Sequence, residues 1–240
     1  MRARRAAGTL EPGQVRAMFD RIAGFYDAMN TLMTAGLHHR WRARAVALAA
    51  VGPGDRALDV ATGTGDLAIA LAAAVAPGGE VVGCDFSEAM LERARAKAPQ
   101  LRFDWADALA LPYRDGEFDA ATVGFGARNF GDLERGLAEL ARVVRPGGRV
   151  VILEITQPSR EPLASFYRGW FDHVVPALGA LAGDAAAYSY LPSSVRRFPG
   201  PRELAAAMGR AGMERIRCVL TAGGIIALHV GVVTGTAGER

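Results

Sequence analysis

The sequence predicts an α/β fold: one doubly wound, mostly parallel sheet of seven strands with an antiparallel final strand, plus helical lid segments outside the sheet. Three observations predict it. Apolar runs of strand length alternate with helical patterns, and parallel strands need such crossover helices. The run RALDVATGTGD, from Arg56 to Asp66, carries an apolar strand straight into a turn with glycine at Gly63 and Gly65. The last two runs are joined by little more than Gly223 and Gly224, a hairpin spacing that reverses the final strand.

In chain order, residues 14–50 place Met18, Ile22, Phe25 and Met29 at helical spacing on one face. Strands are expected at 56–62, 80–85, 101–107, 118–125, 149–155, 213–221 and 225–233, and crossover helices at 67–76, 90–98 and 133–144. The turn from Arg145 to Gly148 is structural: Pro146 ends a helix and the glycines bend the chain into the next strand. Residues 161–199 are rich in aromatic and apolar side chains and form a second helical lid. The expected organisation is a single domain over 1–240. It comprises a flexible start (1–13), an N-terminal lid (14–50), a cofactor-binding core (51–155), a substrate lid insertion (156–200), and a final helix and hairpin (201–240).

Composition narrows the functional classes. At 240 residues, half of them hydrophobic, the chain buries a full core. The net charge of +3 is scattered, with no basic stripe interleaved with aromatics, so no nucleic-acid partner is expected. The start, MRARRAAGTLEPG, has no apolar stretch behind its arginines and reads as neither secretion signal nor anchor. The nearly uncharged stretch 174–183 is far short of the ~20 residues that cross a bilayer, so any membrane contact is peripheral. Cys84 and Cys218 match no CxxC spacing and read as small buried hydrophobes in a reducing, cytoplasmic compartment.

The glycine turn points to a nucleotide-like cofactor, because glycine lets a ligand lie against bare backbone and face the amides that open the next helix. Asp85 ends the following strand twenty positions after Gly65, where such sheets place the carboxylate that accepts ribose hydroxyls. Gly63, Gly65 and Ala68 also fit the dinucleotide fingerprint, so the turn alone leaves two cofactor classes open. Asp59 inside the first strand's end, and Asp107 after the third strand, favour S-adenosyl-L-methionine and methyl transfer over hydride transfer. The competing reading is that both aspartates merely cap loops. A mostly parallel sheet with an antiparallel strand near its edge is the class I S-adenosylmethionine-dependent methyltransferase (Rossmann-like) architecture.

Such a transfer needs an in-line approach and exclusion of water, and no metal. The four histidines agree: His38 and His39 are adjacent, His173 and His229 isolated, and no HxxxH pair occurs. The segment Gly124 to Asn129 follows the fourth strand at the sheet's carboxyl edge, making Arg128 and Asn129 candidate substrate groups. Arg128 can hold a ring hydroxyl as its anion, or instead pair with Asp132 or Glu134. Glu154 is either a base or the partner of Arg168 or Arg128.

With those residues in hand, the chain resembles the ubiquinone/menaquinone biosynthesis C-methyltransferase family. The resemblance rests on YDAMNTLMTAGLHHRW (Tyr26 to Trp41), LDVATGTGDLA, GFGARN, RVVRPGGRVVILEIT (Arg142 to Thr156), YSYLPSSVRRFP (Tyr188 to Pro199) and TAGGIIALHVG. It runs from about Val15 to Val233. Thr34 and Thr156 stand where the family often has serine, Arg145 where it often has lysine, and Gly124 where many members have serine, leaving Gly124 a backbone contact only. The resemblance implies cofactor contacts at Thr64, Asp85, Asp107, Ala108 and Gly124, and acceptor contacts at Tyr26, Asn30, Arg128, Asn129 and Tyr190.

It further implies methylation of a polyprenyl quinol ring carbon, foremost demethylmenaquinol. Arg128 would steady the ring anion, and Tyr26 or a water would remove the proton. Phe166, Trp170, Phe171, Val174 and Leu178 would line a groove for the tail, and Arg168, Arg196 and Arg197 would meet acidic headgroups at the inner face of the membrane. A homodimer is left open. The competing functions are a methyltransferase of this fold acting on a sterol or secondary metabolite, a nicotinamide-dependent oxidoreductase, and a noncatalytic nucleotide-binding partner.

Overall fold

A computed structural model of the chain describes residues 12–158, 161–174 and 185–235. Its strands are β1 (Arg56–Val60), β2 (Glu80–Asp85), β3 (Arg102–Trp105), β4 (Phe118–Gly124), β5 (Val144–Ile155), β6 (Met213–Thr221) and β7 (Ile226–Val233). They form one sheet in the order β3-β2-β1-β4-β5-β7-β6. The first five pair in parallel, and β7 lies antiparallel between β5 and β6. The turn at Gly223, with φ of +67°, makes that hairpin.

The inner strands read as near-continuous apolar runs because both faces are covered. On one face Leu58, Val60, Val82 and Cys84 pack against Leu137 and Leu140 of α6 (Leu133–Val143) and Leu204 and Met208 of α9 (Pro201–Arg210). On the other, Ala57 and Val81 pack against Ala45 of α3 (Leu37–Ala49), Leu71 of α4 (Asp66–Val75) and Leu91 of α5 (Glu88–Lys97). Caps fix where the helices start. Ser87 Oγ accepts from the Met90 amide at the head of α5, and Asp132 accepts from the Arg135 amide at the head of α6.

The N-terminal lid is two helices followed by α3, not one continuous face. α1 (Pro12–Ile22) buries Val15, Met18 and Ile22, the chain turns at Ala23–Phe25, and α2 (Tyr26–Thr34) follows with no buried residue. Pro12 and Gly13, expected in a flexible start, open α1, and the rest of that stretch, 1–11, lies outside the described residues. The second lid contributes α7 (Leu163–Gly169), a π-helical turn at Trp170–Val174, and α8 (Ala185–Arg197). Leu178 and the side chain of Phe171 lie outside the described residues.

Two further expectations are corrected. β5 starts at Val144, ahead of the expected 149, because Val144 pairs with Phe118 and a register shift absorbs the Arg145–Gly148 turn. Cys84 is buried, with its thiol pKa pushed up by burial, but Cys218 is exposed on the edge strand β6. Among the described residues no helix is long and apolar enough to cross a membrane.

Candidate active site

The strand order reverses between β1 and β4, and such a switch point opens a crevice at the strands' carboxyl ends. The glycine turn lies there. Gly63 and Gly65 have φ of +56° and +84°, conformations that disfavour other residues, and a Cβ on Gly65 would stand 3.0 Å from the Phe103 ring.

Beneath the turn, Asp59 is 1% exposed and accepts from Thr62 Oγ1 and Thr122 Oγ1, both at 2.6 Å. It does not line the cleft wall, and those two hydroxyls hold it under the turn, where it pins the loop. Thr64 and Gly65 are likewise absent from that wall. Thr64 Oγ1 donates to Asp27 at 2.6 Å, and Gly65 caps α4.

The cleft itself, about 290 Å³, is lined by Gly63, Asp85, Trp105, Asp107, Ala108 and Gly124 among others. Asp85 accepts from the amides of Gly63 and Ser87, each at 2.9 Å. Burial pushes its pKa up to about 6 despite those bonds. One oxygen of Asp107 accepts from the Leu109 amide at 2.9 Å. Trp105 is half exposed, its Nε1 donating to the Phe86 carbonyl at 2.8 Å, and a flat heterocycle laid here would cover its ring. A carboxylate fixed by two amides, a second acid and an uncovered indole fit an adenosine-bearing donor.

A second cavity of about 380 Å³ adjoins the first and is almost wholly apolar. Met18, Met33, Trp41, Phe166 and Trp170 line it, with Asn30, Thr34, His38, Arg128 and Tyr190 among its polar members. Phe19, Tyr26 and Phe125 line both cavities, so the two spaces meet at those rings. Asn129 lines the cleft and accepts from Tyr190 Oη at 3.0 Å, joining the cleft to α8.

Arg128 is buried and its partner is Glu154. Nη1 donates to both carboxylate oxygens at 3.0 and 3.1 Å and also to the Phe125 carbonyl. Asp132 and Glu134 are otherwise engaged, as the α6 cap and as the partner of Arg210. Arg168 pairs with Glu161. Glu154 also accepts from the amides of Arg128 and Ile155, so donors surround it and leave little room for a substrate proton. Among the described residues the buried Nε of Arg128 has no hydrogen-bond partner.

Sequence reasoning missed a polar network under α2. Lys97 Nζ donates to Asp27 at 2.5 Å and to Asp66 at 2.8 Å, and Arg42 pairs with Asp66 at 3.3 Å. Because α2 buries no side chain, these bonds help hold Tyr26 at the junction of the cavities. No local signal marks them, since Asp27 and Lys97 stand 70 positions apart.

His38 Nδ1 accepts from Arg42, which only donates, so Nε2 carries the proton toward Thr31 Oγ1 at 3.2 Å. Burial, then Arg42 and His39, push its pKa down to about 4. Folding therefore excludes a proton that the unfolded chain takes up below about pH 6.5, and the stability this gives is lost as pH falls toward 4. Urea titrations at pH 7 and pH 4.5 should show wild type losing on the order of 2 kcal/mol more than His38→Gln. Equal losses would contradict the neutral assignment.

Among the described residues no group of three or more histidine, cysteine or acidic side chains converges as a metal site. The ubiE/COQ5 methyltransferase family model matches residues 8–233. The demethylmenaquinone methyltransferase of Thermus thermophilus is 50% identical over 219 residues, covering 89% of this chain and 99% of that one. The ubiquinone/menaquinone biosynthesis C-methyltransferase UbiE of Syntrophotalea carbinolica is 42% identical over 92% of this chain and 94% of that one. Two solved S-adenosylmethionine-dependent methyltransferases share the fold. That of Thermotoga maritima has TM-score 0.63 at 21% identity, covering 90% of this chain and 98% of that one. That of Aquifex aeolicus has TM-score 0.56 at 19% identity, covering 94% and 100%.

Proposed function

Because the chain belongs to the ubiE/COQ5 methyltransferase family, we propose that it transfers the methyl group of S-adenosylmethionine to a ring carbon of a prenylated quinol in menaquinone or ubiquinone biosynthesis, foremost demethylmenaquinol. One observation carries the reading. A cleft ending in Asp85 and Asp107 meets an apolar cavity at Phe19, Tyr26 and Phe125, so donor and acceptor face each other across three aromatic rings.

The donor's sulfonium supplies an electrophilic methyl carbon. The chain does the rest. Asp85 accepts the ribose hydroxyls, Asp107 with Ala108 faces the adenine, and Gly63 and Gly124 offer bare backbone. The aromatic and methionine walls exclude water from the acceptor ring.

The quinol, unlike the quinone, is electron-rich, and loss of a hydroxyl proton pushes charge onto the ortho carbon. Arg128, which lines the acceptor cavity, steadies that oxygen as a guanidinium donor. Its charge is already offset by Glu154, so it acts as an oriented donor more than as a free cation. Tyr26 stands at the junction, with no hydrogen bond from its hydroxyl to any described residue, and can relay the proton only to a water in the cleft, which takes it to solvent. Asn30 and Tyr190 border the acceptor from the two lids. A prenyl tail continues along the apolar cavity toward a bilayer.

The test is chemical. Purified protein and labelled donor are incubated with a sterol, a short-chain demethylnaphthoquinol or a short-chain benzoquinol lacking its ring methyl, the quinols reduced or oxidised, and the label is located by mass spectrometry. Label on a ring carbon of the reduced substrate alone is expected. Label on a sterol, or on the oxidised quinone equally well, would overturn the assignment.

A further inference from the structure

Six large apolar side chains are exposed among the described residues: Leu32, Leu37, Trp105, Phe166, Val174 and Leu220. Trp105 belongs to the donor cleft. Leu37 and Phe166 line the apolar cavity and yet are 41% and 63% exposed, so they form its rim. Leu32, 62% exposed, stands in the last turn of α2, just ahead of the α2–α3 turn whose Ala35 lines the same cavity. Leu220 leads into the β6–β7 turn, whose Ala222 also lines it. That turn touches α7: a Cβ on Gly223 would meet Leu163 Cδ2 at 2.1 Å. Two turns and a helix thus ring one opening with uncovered apolar groups.

On the α2–α3 and β6–β7 sides of this opening the charge is one-sided, while at α7 the exposed Glu161 is paired with Arg168. Residues 28–54 contain Arg40, Arg42 and Arg44 and no carboxylate, and residues 216–238 contain Arg217 and no carboxylate. Arg42 is buried against Asp66, whereas Arg40 and Arg44 are exposed and make no ion pair with any described residue. They follow Leu37 by three and seven positions, which places them on the rim side of α3.

We propose that this rim docks on an anionic phospholipid bilayer, with Leu32, Leu37 and Phe166 entering the interface and Arg40 and Arg44 at headgroup level. Shallow insertion of scattered apolar groups backed by arginines is how peripheral proteins hold such surfaces. A second copy seated here would close the cavity mouth, whereas a bilayer keeps it open to acyl chains. The inference rests on the proposed prenylated acceptor, whose tail partitions into that layer.

The full-length protein is floated with phosphatidylcholine vesicles, with or without 30 mol% phosphatidylglycerol. Co-flotation with the anionic vesicles, lost at high salt, is expected. The triple variant L32E/R40E/R44E, changed at positions that do not line either cavity, should partition at least about tenfold less. It should keep wild-type turnover of a short-chain quinol in solution and lose turnover of a long-tailed quinol held in vesicles.

No flotation with anionic vesicles, equal partitioning of the variant, or a dimer in solution that the variant dissociates would each overturn the proposal. Turnover of the soluble quinol without flotation would sink the docking face and leave the proposed function standing. Flotation lost in the variant, with no quinol methylated, would do the reverse.

Discussion

Asp85→Asn should weaken donor binding about 100-fold or more while leaving the fold as stable as wild type, or more so. The carboxylate would accept two ribose hydroxyls, and hydrogen bonds to a charged group contribute about 1.5–3 kcal/mol each. Asparagine keeps one acceptor oxygen and turns an NH2 toward the remaining partners, so it also disturbs the Gly63 or Ser87 amide bond. Stability moves the other way. Burial raises the Asp85 pKa to about 6 in the folded chain, so ionising it costs folding free energy at neutral pH that an amide does not.

The sign of the pH dependence follows. A raised carboxylate contributes stability that is present below its unfolded pKa, near 3.8, and lost as pH rises through about 6. Ribose hydroxyls stabilise the ionised form, so donor binding below pH 6 must expel a proton and weakens as pH falls. Calorimetric titration at pH 5 and pH 7.5, in buffers of different ionisation enthalpy, reads both affinity and proton release. An affinity flat between those values, or unchanged in Asp85→Asn, would remove Asp85 from the donor site.

Asp85 and the glycine turn were legible in the sequence because strand end, turn and carboxylate are local signals with a fixed spacing. The crossover pattern and the Gly223–Gly224 hairpin likewise gave the sheet and its antiparallel β7. What stayed hidden depends on which way a side chain points once the sheet twists and the lids settle. Asp59 and Thr64 sit in the same motif as Gly63, yet Thr62 and Thr122 claim the first and Asp27 the second. The break between α1 and α2 went unread because Met18, Ile22, Phe25 and Met29 keep helical spacing across it, although Gly24 is a weak helix-stop signal at that point. The Arg128–Glu154 pair was one of several the sequence allowed, and only the packing of the turn after β4 against β5 selects it.

That pair sets the second large effect. Arg128→Ala should abolish most turnover, but it also leaves Glu154 buried and without its counter-charge, which costs about 3–5 kcal/mol of stability. Lost activity in this variant alone therefore cannot separate a substrate role from a damaged fold. The double variant Arg128→Met with Glu154→Gln removes both charges and nearly preserves volume, so it should recover most of the lost stability. If Arg128 serves the ring oxygen, turnover in the double variant stays about 10²-fold or more below wild type, the scale of losing one oriented donor. The donor Kd should stay within a few-fold of wild type, because Arg128 lines the acceptor cavity and not the donor cleft. Thermal melts, calorimetry and turnover on one short-chain quinol measure all three quantities. Recovery of turnover along with stability would reduce Arg128 to a structural partner of Glu154 and hand the acceptor oxygen to another group.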